Sequence, residues 1–324
     1  MPIATRLTEL LGIEHPILLA PMDLVSTGKL AAIVSAAGGF GIIGGGYGDE
    51  TWVMRELDAA GDARVGVGFI TWSLAKQPRV LDRVLERHPP AIMLSFGDVA
   101  PFAPRIHAAG AKMICQVQTA DQAKAALDRG VDVLVAQGGE AGGHGVGRGT
   151  FTLVPAVCDI AGNVPVCAAG GIGDGRGLAA ALMLGADGVL VGTRFYATLE
   201  AGGVQAAKEH IVGASGDKTI RSIIFDIARQ NVWPAPFTGR VLQNDFSDRW
   251  RGREGELMQR RDEAERYAEA RERGDFSTAA IIAGEVVDLV HDILPAAEVV
   301  TRIVREAEAQ LSGASNRYGR SAVR

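Results

Sequence analysis

Eight short apolar runs punctuate the first part of the chain: "ILLA" (17–20), "FGIIG" (40–44), "VGVGFI" (65–70), "AIMLSF" (91–96), "KMICQV" (112–117), "VDVLVA" (131–136), "VPVCAA" (164–169) and "DGVLVG" (187–192). They show little polar alternation. A half-exposed strand alternates in and out, whereas a strand covered on both faces does not, and continuous runs of this kind mark a parallel sheet under helices. Between the runs lie helix patterns with their own start and stop signals. "STGKLAAIVSAAG" begins on Ser/Thr and closes on Gly38, "TADQAKAALDRG" opens on Thr119 and closes on Gly130, and "GDGRGLAAALMLG" closes on Gly185. Strand–helix repeats of this number, spaced roughly 20–33 residues apart, predict an α/β chain folded as a (β/α)8 TIM barrel over residues 1–212.

After residue 212 the texture changes. "WPAPFTG" (233–239) reads as a loop, and "DRWRGREGELMQRRDEAERYAEARERG" (248–274) as exposed helix with a solvated charged face. Residues 213–274 are thus expected to form a helical extension or lid. "TAAIIAGEVVDLVHDIL" (278–294) is apolar again and should pack on the main body as a late helix. "AAEVVTRIVREAEAQL" is an amphipathic closing helix, so 275–324 should be C-terminal helices folding back on the barrel, with a frayed tail from "SGASNRYGRSAVR". The segment after 212 is able either to cover the barrel mouth or to form a homodimer contact.

Composition excludes several classes. The net charge of −5 gives no footprint for nucleic acid or an anionic membrane. No apolar run reaches the length of a membrane span, and the N-terminus lacks the apolar core of a signal peptide. Cys115, Cys158 and Cys167 form no CxxC and no metal-ligand spacing, so they read as reduced thiols in a cytoplasmic protein, with no metal site.

In a parallel barrel the chemistry sits at the C-terminal ends of the strands. The most informative ends are the seventh and eighth, "AAGGIGDGRG" and "VGTRF", each leading from a strand into a helix N-terminus. Amides there point at an anion, and barrels place phosphates after these strands. Gly170, Gly171, Gly192 and Thr193 are the candidate donors. Arg194 fits phosphate neutralisation and a surface ion pair equally well. "GFGIIG" (39–44) matches G-x-G-x-x-G, but the match runs through the strand rather than the turn that a dinucleotide site needs.

After the sixth strand comes "QGGEAGGHG" (137–145), one histidine and one glutamate among five glycines. Such a run costs folding entropy unless the backbone needs it. His144, on a loop over the barrel mouth, has a side chain whose ordinary pKa suits a general base or acid at neutral pH. The other histidines, His15, His88, His107, His210 and His291, have polar neighbours in helical or turn segments and read as surface or packing residues. Glu140 fits either an orienting role or a solvent-facing one.

Three stretches, "AQGGEAGGH" (136–144), "AAGGIGDGRGLAAALMLGADGVLVGTRF" (168–195) and "HPILLAPM" (15–22), resemble the nitronate monooxygenase family, formerly called 2-nitropropane dioxygenases. The resemblance runs over most of residues 5–200 and more weakly over 274–290. That family shares its barrel with flavin-dependent enoyl-ACP reductases and NADH:quinone reductases, and "GGFGIIGGG" (38–46) also resembles the enoyl-reductase branch. The resemblance implies FMN in the barrel mouth and a nitronate or nitroalkane substrate oxidised with O2. It places Ala20, Pro21 and Met22 along the isoalloxazine and Gln116 at the flavin edge. Ala169, Gly170, Gly171, Gly192 and Thr193 would hold the phosphate, Gly142 and Gly143 would clear space for the flavin, and His144 would be the catalytic base. Two positions depart from the pattern. Gly68 stands where members often carry Asn beside the cofactor, and Ile282 stands where some members place a serine near the substrate. Both departures remove polar contacts and bear on the size and polarity of the substrate more than on the cofactor. An NAD(P)H-dependent reductase of quinones or enoyl thioesters is the alternative activity.

Overall fold

The computed structural model describes residues 3–318, with side chains to residue 313. Strands are numbered in chain order. The main sheet contains β1 (Ile17–Leu19), β2 (Gly41–Gly46), β3 (Val65–Ile70), β4 (Ala91–Ser95), β5 (Lys112–Val117) and β6 (Val133–Gln137). It is completed by β8 (Val166–Ala169) and β9 (Gly188–Val191). All pair in parallel in the order β1-β9-β8-β6-β5-β4-β3-β2, and an isolated parallel bridge between Leu18 and Phe40 brings the first and last strands together. With helices between the strands, this is a nearly closed (β/α)8 barrel, as the eight apolar runs predict.

The runs lack alternation because each strand is buried on both sides. In β6, Val133 and Val135 point into the barrel with Leu18, Ile42, Met93 and Ile114, while Leu134 and Ala136 point out under the helices. The glycines of the "GFGIIG" run serve this packing. A Cβ on Gly41 would lie 1.9 Å from the Ala31 carbonyl oxygen of the helix Gly28–Ala36, and one on Gly44 would lie 2.1 Å from the Met22 carbonyl oxygen. No nucleotide turn is built there. The helix Arg6–Leu11 closes the opposite end of the barrel, with Leu7 and Leu11 joining the interior cluster and Thr5 Oγ1 donating to the Asp187 carbonyl at the start of β9.

Beyond residue 212 the chain differs from the helical expectation. β10 (Thr219–Ser222) and β11 (Thr238–Leu242) pair antiparallel, and β11 also pairs with β7 (Gly143–Gly145) from the glycine-rich loop after β6. Residues 248–274 are not one solvated helix. Gly252, at φ +77°, helps to break the region into Asp245–Trp250, Glu254–Leu257 and Arg261–Arg273. Trp250, Leu257 and Tyr267 turn inward with Ile220, Ile224, Phe225, Val241 and Phe246 to make a separate small core.

The 278–294 segment packs on the barrel but is extended, with only a 3-10 turn at Glu285–Leu289. Its burial runs with a period of two: Ala279, Ile281 and Ala283 are buried, while Ala280 and Ile282 are more open. β-Branched residues suit this conformation. The helix Ala296–Tyr318 then packs on the helix Gly175–Met183. The expected frayed tail is helical through Tyr318, and residues 319–324 lie outside the described residues. No helix among the described residues is long and apolar enough to cross a membrane.

Candidate active site

A cavity of about 440 Å³ opens at the C-terminal ends of the barrel strands. It is lined by Ala20, Pro21, Met22, Gly68, Gln116, Gly142, Gly143, His144, Ala169, Gly170, Gly171, Gly192 and Thr193, so these candidate residues share one space, which Arg194 does not reach. Pro21 packs where a Cβ on Gly68 would lie, at 2.3 Å, so a side chain at position 68 would displace the β1 loop. Gln116 Nε2 donates to Gln137 Oε1 at 3.1 Å, and Gln118 Nε2 donates to the same oxygen at 2.9 Å. Gln137 also lines the cavity. Its signal in sequence was slight: a polar residue closing an otherwise apolar strand.

Two strand ends that look alike in sequence differ in structure. The helix Gly175–Met183 after β8 does not offer its N-terminus to a ligand. Asp174 accepts from the Arg176 and Gly177 amides, and Glu306 Oε2 accepts from the Gly175 amide at 3.0 Å. The loop before that helix faces the cavity instead. Gly170 and Gly171 adopt φ of +100° and +73°, a region that favours glycine. Across from them, Thr193 opens the short helix Thr193–Tyr196. Among the described residues no acceptor takes the amide hydrogens of Gly171 or Thr193. Thr193 Oγ1 accepts from the Gly284 amide at 3.0 Å, tying this end to the extended 278–294 segment. Arg194, left open between phosphate and ion pair, is buried and turns away from the cavity. Its guanidinium binds the Asp292 carbonyl at 2.9 Å and the Asp292 carboxylate at 3.0 Å. Burial lowers its pKa from the ordinary arginine value.

The glycine-rich loop after β6 is held from several sides. Glu140 braces it: the Thr150 amide donates to both carboxylate oxygens at 2.9 Å, and Thr150 Oγ1 donates at 2.8 Å. This supplies the cap that Gly149 cannot give to the helix Thr150–Ala161. Arg221 Nη2 donates to the carbonyls of Gly139 and Ala141 at 3.0 and 3.2 Å, and Arg240 Nε donates to Gly139 O at 2.9 Å. Burial pushes the Arg221 pKa down to about 10. The glycines make room for these contacts. A Cβ on Gly138 would meet Thr150 Oγ1 at 2.0 Å, and one on Gly142 would meet the Ala283 carbonyl carbon at 2.6 Å. At these two positions the clearance is toward neighbouring protein rather than toward the cavity.

His144 is 7% exposed. Its place in β7 sets it opposite Gly239 of β11, where a Cβ would lie 3.4 Å from the ring. Nε2 lies 2.9 and 3.1 Å from the two oxygens of Asp226, which stands on the helix Ile224–Ala228. Arg229 Nη2 donates to the same carboxylate at 2.7 Å. Trp233 stacks on the imidazole at 3.4 Å between centroids and 5° between planes, and its Nε1 donates to the Tyr47 hydroxyl at 3.0 Å. Burial lowers the His144 pKa, Asp226 opposes that, and Arg229 and Arg221 add to the lowering. The lowering favours the neutral ring, the form able to accept a proton. Asp226, Arg229, Trp233 and Tyr47 escaped the sequence reading, since nothing local links them to a histidine up to 97 positions away.

A profile of the nitronate monooxygenase family matches residues 4–67 and 69–306. A nitronate monooxygenase of Neurospora crassa is 32% identical, covering 92% of this chain and 90% of that protein. A (3aS,4S,5R,7aS)-5-hydroxy-7a-methyl-1-oxo-octahydro-1H-indene-4-carboxyl-CoA dehydrogenase of Mycobacterium tuberculosis is 37% identical, over 68% of this chain and 63% of that one. Among solved structures, FabK from Thermotoga maritima superposes with a TM-score of 0.85 at 31% identity, covering 97% of this chain and 99% of that one. A nitroalkane oxidase from Streptomyces ansochromogenes gives a TM-score of 0.82 at 26% identity, over 96% and 100% of the two chains. The match along nearly the whole chain, together with the cavity at the strand ends, establishes that this oxidoreductase belongs to the nitronate monooxygenase family.

Proposed function

We propose that the protein binds FMN in the barrel mouth and converts nitronates, with dioxygen, to a carbonyl compound and nitrite, and that it also accepts nitroalkanes. The observation that carries this reading is a buried histidine, held by Asp226 and lining the cavity of a chain in this family. The cavity fits the cofactor. The unengaged amide hydrogens of Gly171 and Thr193, with the glycine backbones of Gly170 and Gly192, suit a phosphate group. Ala20, Pro21 and Met22 supply an apolar wall, and the linked amides of Gln116 and Gln137 supply polar contacts for a ring edge. When bound, FMN supplies the electron exchange with substrate and with dioxygen.

The remaining chemistry falls to the chain. His144 takes the α-proton of a nitroalkane, and as imidazolium it holds the nitronate by charge. Gly142, Gly143 and Ile282 add no charge to their part of the cavity wall, so a substrate lying against them meets an apolar surface. A visible spectrum of the purified protein tests the cofactor. Anaerobic addition of a nitronate should then bleach the flavin bands, whereas NADH and NADPH should not. A colourless protein that takes up no FMN, or bleaching by NAD(P)H alone, overturns the reading. The second outcome would favour an NAD(P)H-dependent reductase of quinones or enoyl thioesters, which the close superposition on FabK supports.

A further inference from the structure

We infer that Asp226 is a positioning residue that fixes His144 as its Nε2–H tautomer, so that Nδ1 is the proton acceptor and neutral nitroalkanes become substrates alongside preformed nitronates. The inference deepens the function proposed above and rests on it for the identity of the substrate.

The geometry leaves little choice of tautomer. An ionised carboxylate only accepts hydrogen bonds, so the nitrogen 2.9 and 3.1 Å from its oxygens must carry the hydrogen. Asp226 is 4% exposed in its side chain, and such a carboxylate stays ionised only with compensation. Arg229 gives it, at 2.7 Å from Oδ1, while its own Nε is anchored on the Phe225 carbonyl at 3.1 Å. Trp233 covers one face of the ring, and Gly239 pairs with His144 across the β7–β11 ladder. Among the described residues no hydrogen bond reaches Nδ1, and the ring lines the cavity.

The proton step balances as follows. The Cα–H bond of the nitroalkane breaks, its electron pair becomes the C=N bond of the nitronate, and the proton forms a bond to Nδ1. The resulting imidazolium keeps its Nε2–H on Asp226. The charged groups around the ring are Asp226 and Arg229 from the same helical turn and Arg221 from β10. Tyr47, joined through Trp233, interacts with both Asp226 and Arg229, and Asp23 interacts with Arg229. Of the groups acting on the ring, only Asp226 favours the imidazolium. A nitronate arrives already deprotonated and needs no base, so the ratio of nitroalkane to nitronate turnover reports on Asp226.

The test uses FMN-loaded enzyme labelled with 15N-histidine, with the His144 signals identified by their loss in His144→Gln. The expected spectrum at pH 7 is a neutral ring protonated at Nε2. In Asp226→Asn the turnover ratio should fall about tenfold or more, as loss of positioned base catalysis predicts. The pH midpoint for nitroalkane turnover should also move lower, and Asp226→Glu should restore part of the ratio. An Nδ1–H ring or an imidazolium in the wild-type spectrum overturns the inference, whether or not the variants fold. Equal loss on both substrates in Asp226→Asn also overturns it. The expected tautomer without turnover of either substrate supports the positioning role and sinks the reaction assigned to the site.

Discussion

Gly142→Ala separates two explanations of the glycine-rich loop. Gly142 is not among the glycines with positive φ, so alanine meets no backbone strain there. The new Cβ would lie 2.6 Å from Ala283 C, 2.7 Å from Gly284 N and 2.9 Å from Ala283 Cα, all backbone atoms. Reaching ordinary contact at 3.4 Å requires the two segments to part by 3.4 − 2.6, or about 0.8 Å. That movement stretches the bonds from Gly284 N to Thr193 Oγ1 and from Glu285 N to Glu140 O, both now 3.0 Å. Overpacking of this kind costs about 1–3 kcal/mol, and weakening the bonds brings the total to roughly 2–4 kcal/mol. With an unfolding entropy of about 0.7 kcal/mol/K for a chain of this length, Tm should fall by roughly 3–6 °C. Calorimetry on flavin-free protein is the assay, because the clash is with protein. An unchanged flavin-free Tm accompanied by lost FMN affinity would refute this account and return the glycine to the role of cofactor clearance.

Other perturbations discriminate as clearly. Arg194→Met should lower stability by about 1–3 kcal/mol in urea unfolding, the partly exposed Asp292 keeping Arg302 as a partner. FMN affinity should hardly move, and a large loss of affinity would contradict the ion-pair assignment. Trp233→Phe keeps a ring on His144 and loses the bond to Tyr47, so it should cost about 1 kcal/mol, against roughly 3–5 kcal/mol for Trp233→Ala; equal costs would show that stacking contributes nothing. His144 has a folded pKa below its unfolded one, so the unfolded chain binds the extra proton first. Its contribution is whole above the unfolded pKa near 6.5 and is lost as pH falls from there through the folded value. The slope of stability against pH below about 6.5 should flatten in His144→Gln, and an unchanged slope would place the titration elsewhere.

The barrel was legible because its signal is cooperative along the chain. Each strand is apolar on both faces, and each capped helix between strands repeats the pattern. The second sheet carries no such signal. "TIRS" and "TGRVL" are short, half-exposed and rich in polar residues, and β7 lies inside a run of glycines that reads only as loop. The 278–294 segment reads as a helix because apolar content alone does not separate a helix from an extended strip; residues 279–283 are apolar throughout, so the alternation appears only in their burial. The cavity-lining positions were found because strand ends are fixed by topology. Asp226 was not, since its relation to His144 is made across 82 residues by a fold in a different sheet. The same limit applies to Arg194, whose partner Asp292 lies 98 residues on. Glu140 could be placed in its motif, but only Thr150 reveals what it holds.

The pairing of β7 with β11 divides the labour of the site between two parts of the chain. The imidazole is supplied by a barrel loop, whereas the carboxylate, the guanidinium and the indole that set its behaviour come from residues 226–233. Most of the cavity lining at the strand ends comes from residues 20–193, and Arg229, Trp233, Tyr267 and Arg271 are added to it from the 213–274 segment. Grafting a different 213–274 segment onto the same barrel would therefore change the groups around the imidazole while keeping the part of the lining that the strand ends supply. A scaffold arranged this way lets reaction type drift by exchanging one insertion, with no need to redesign the barrel beneath it.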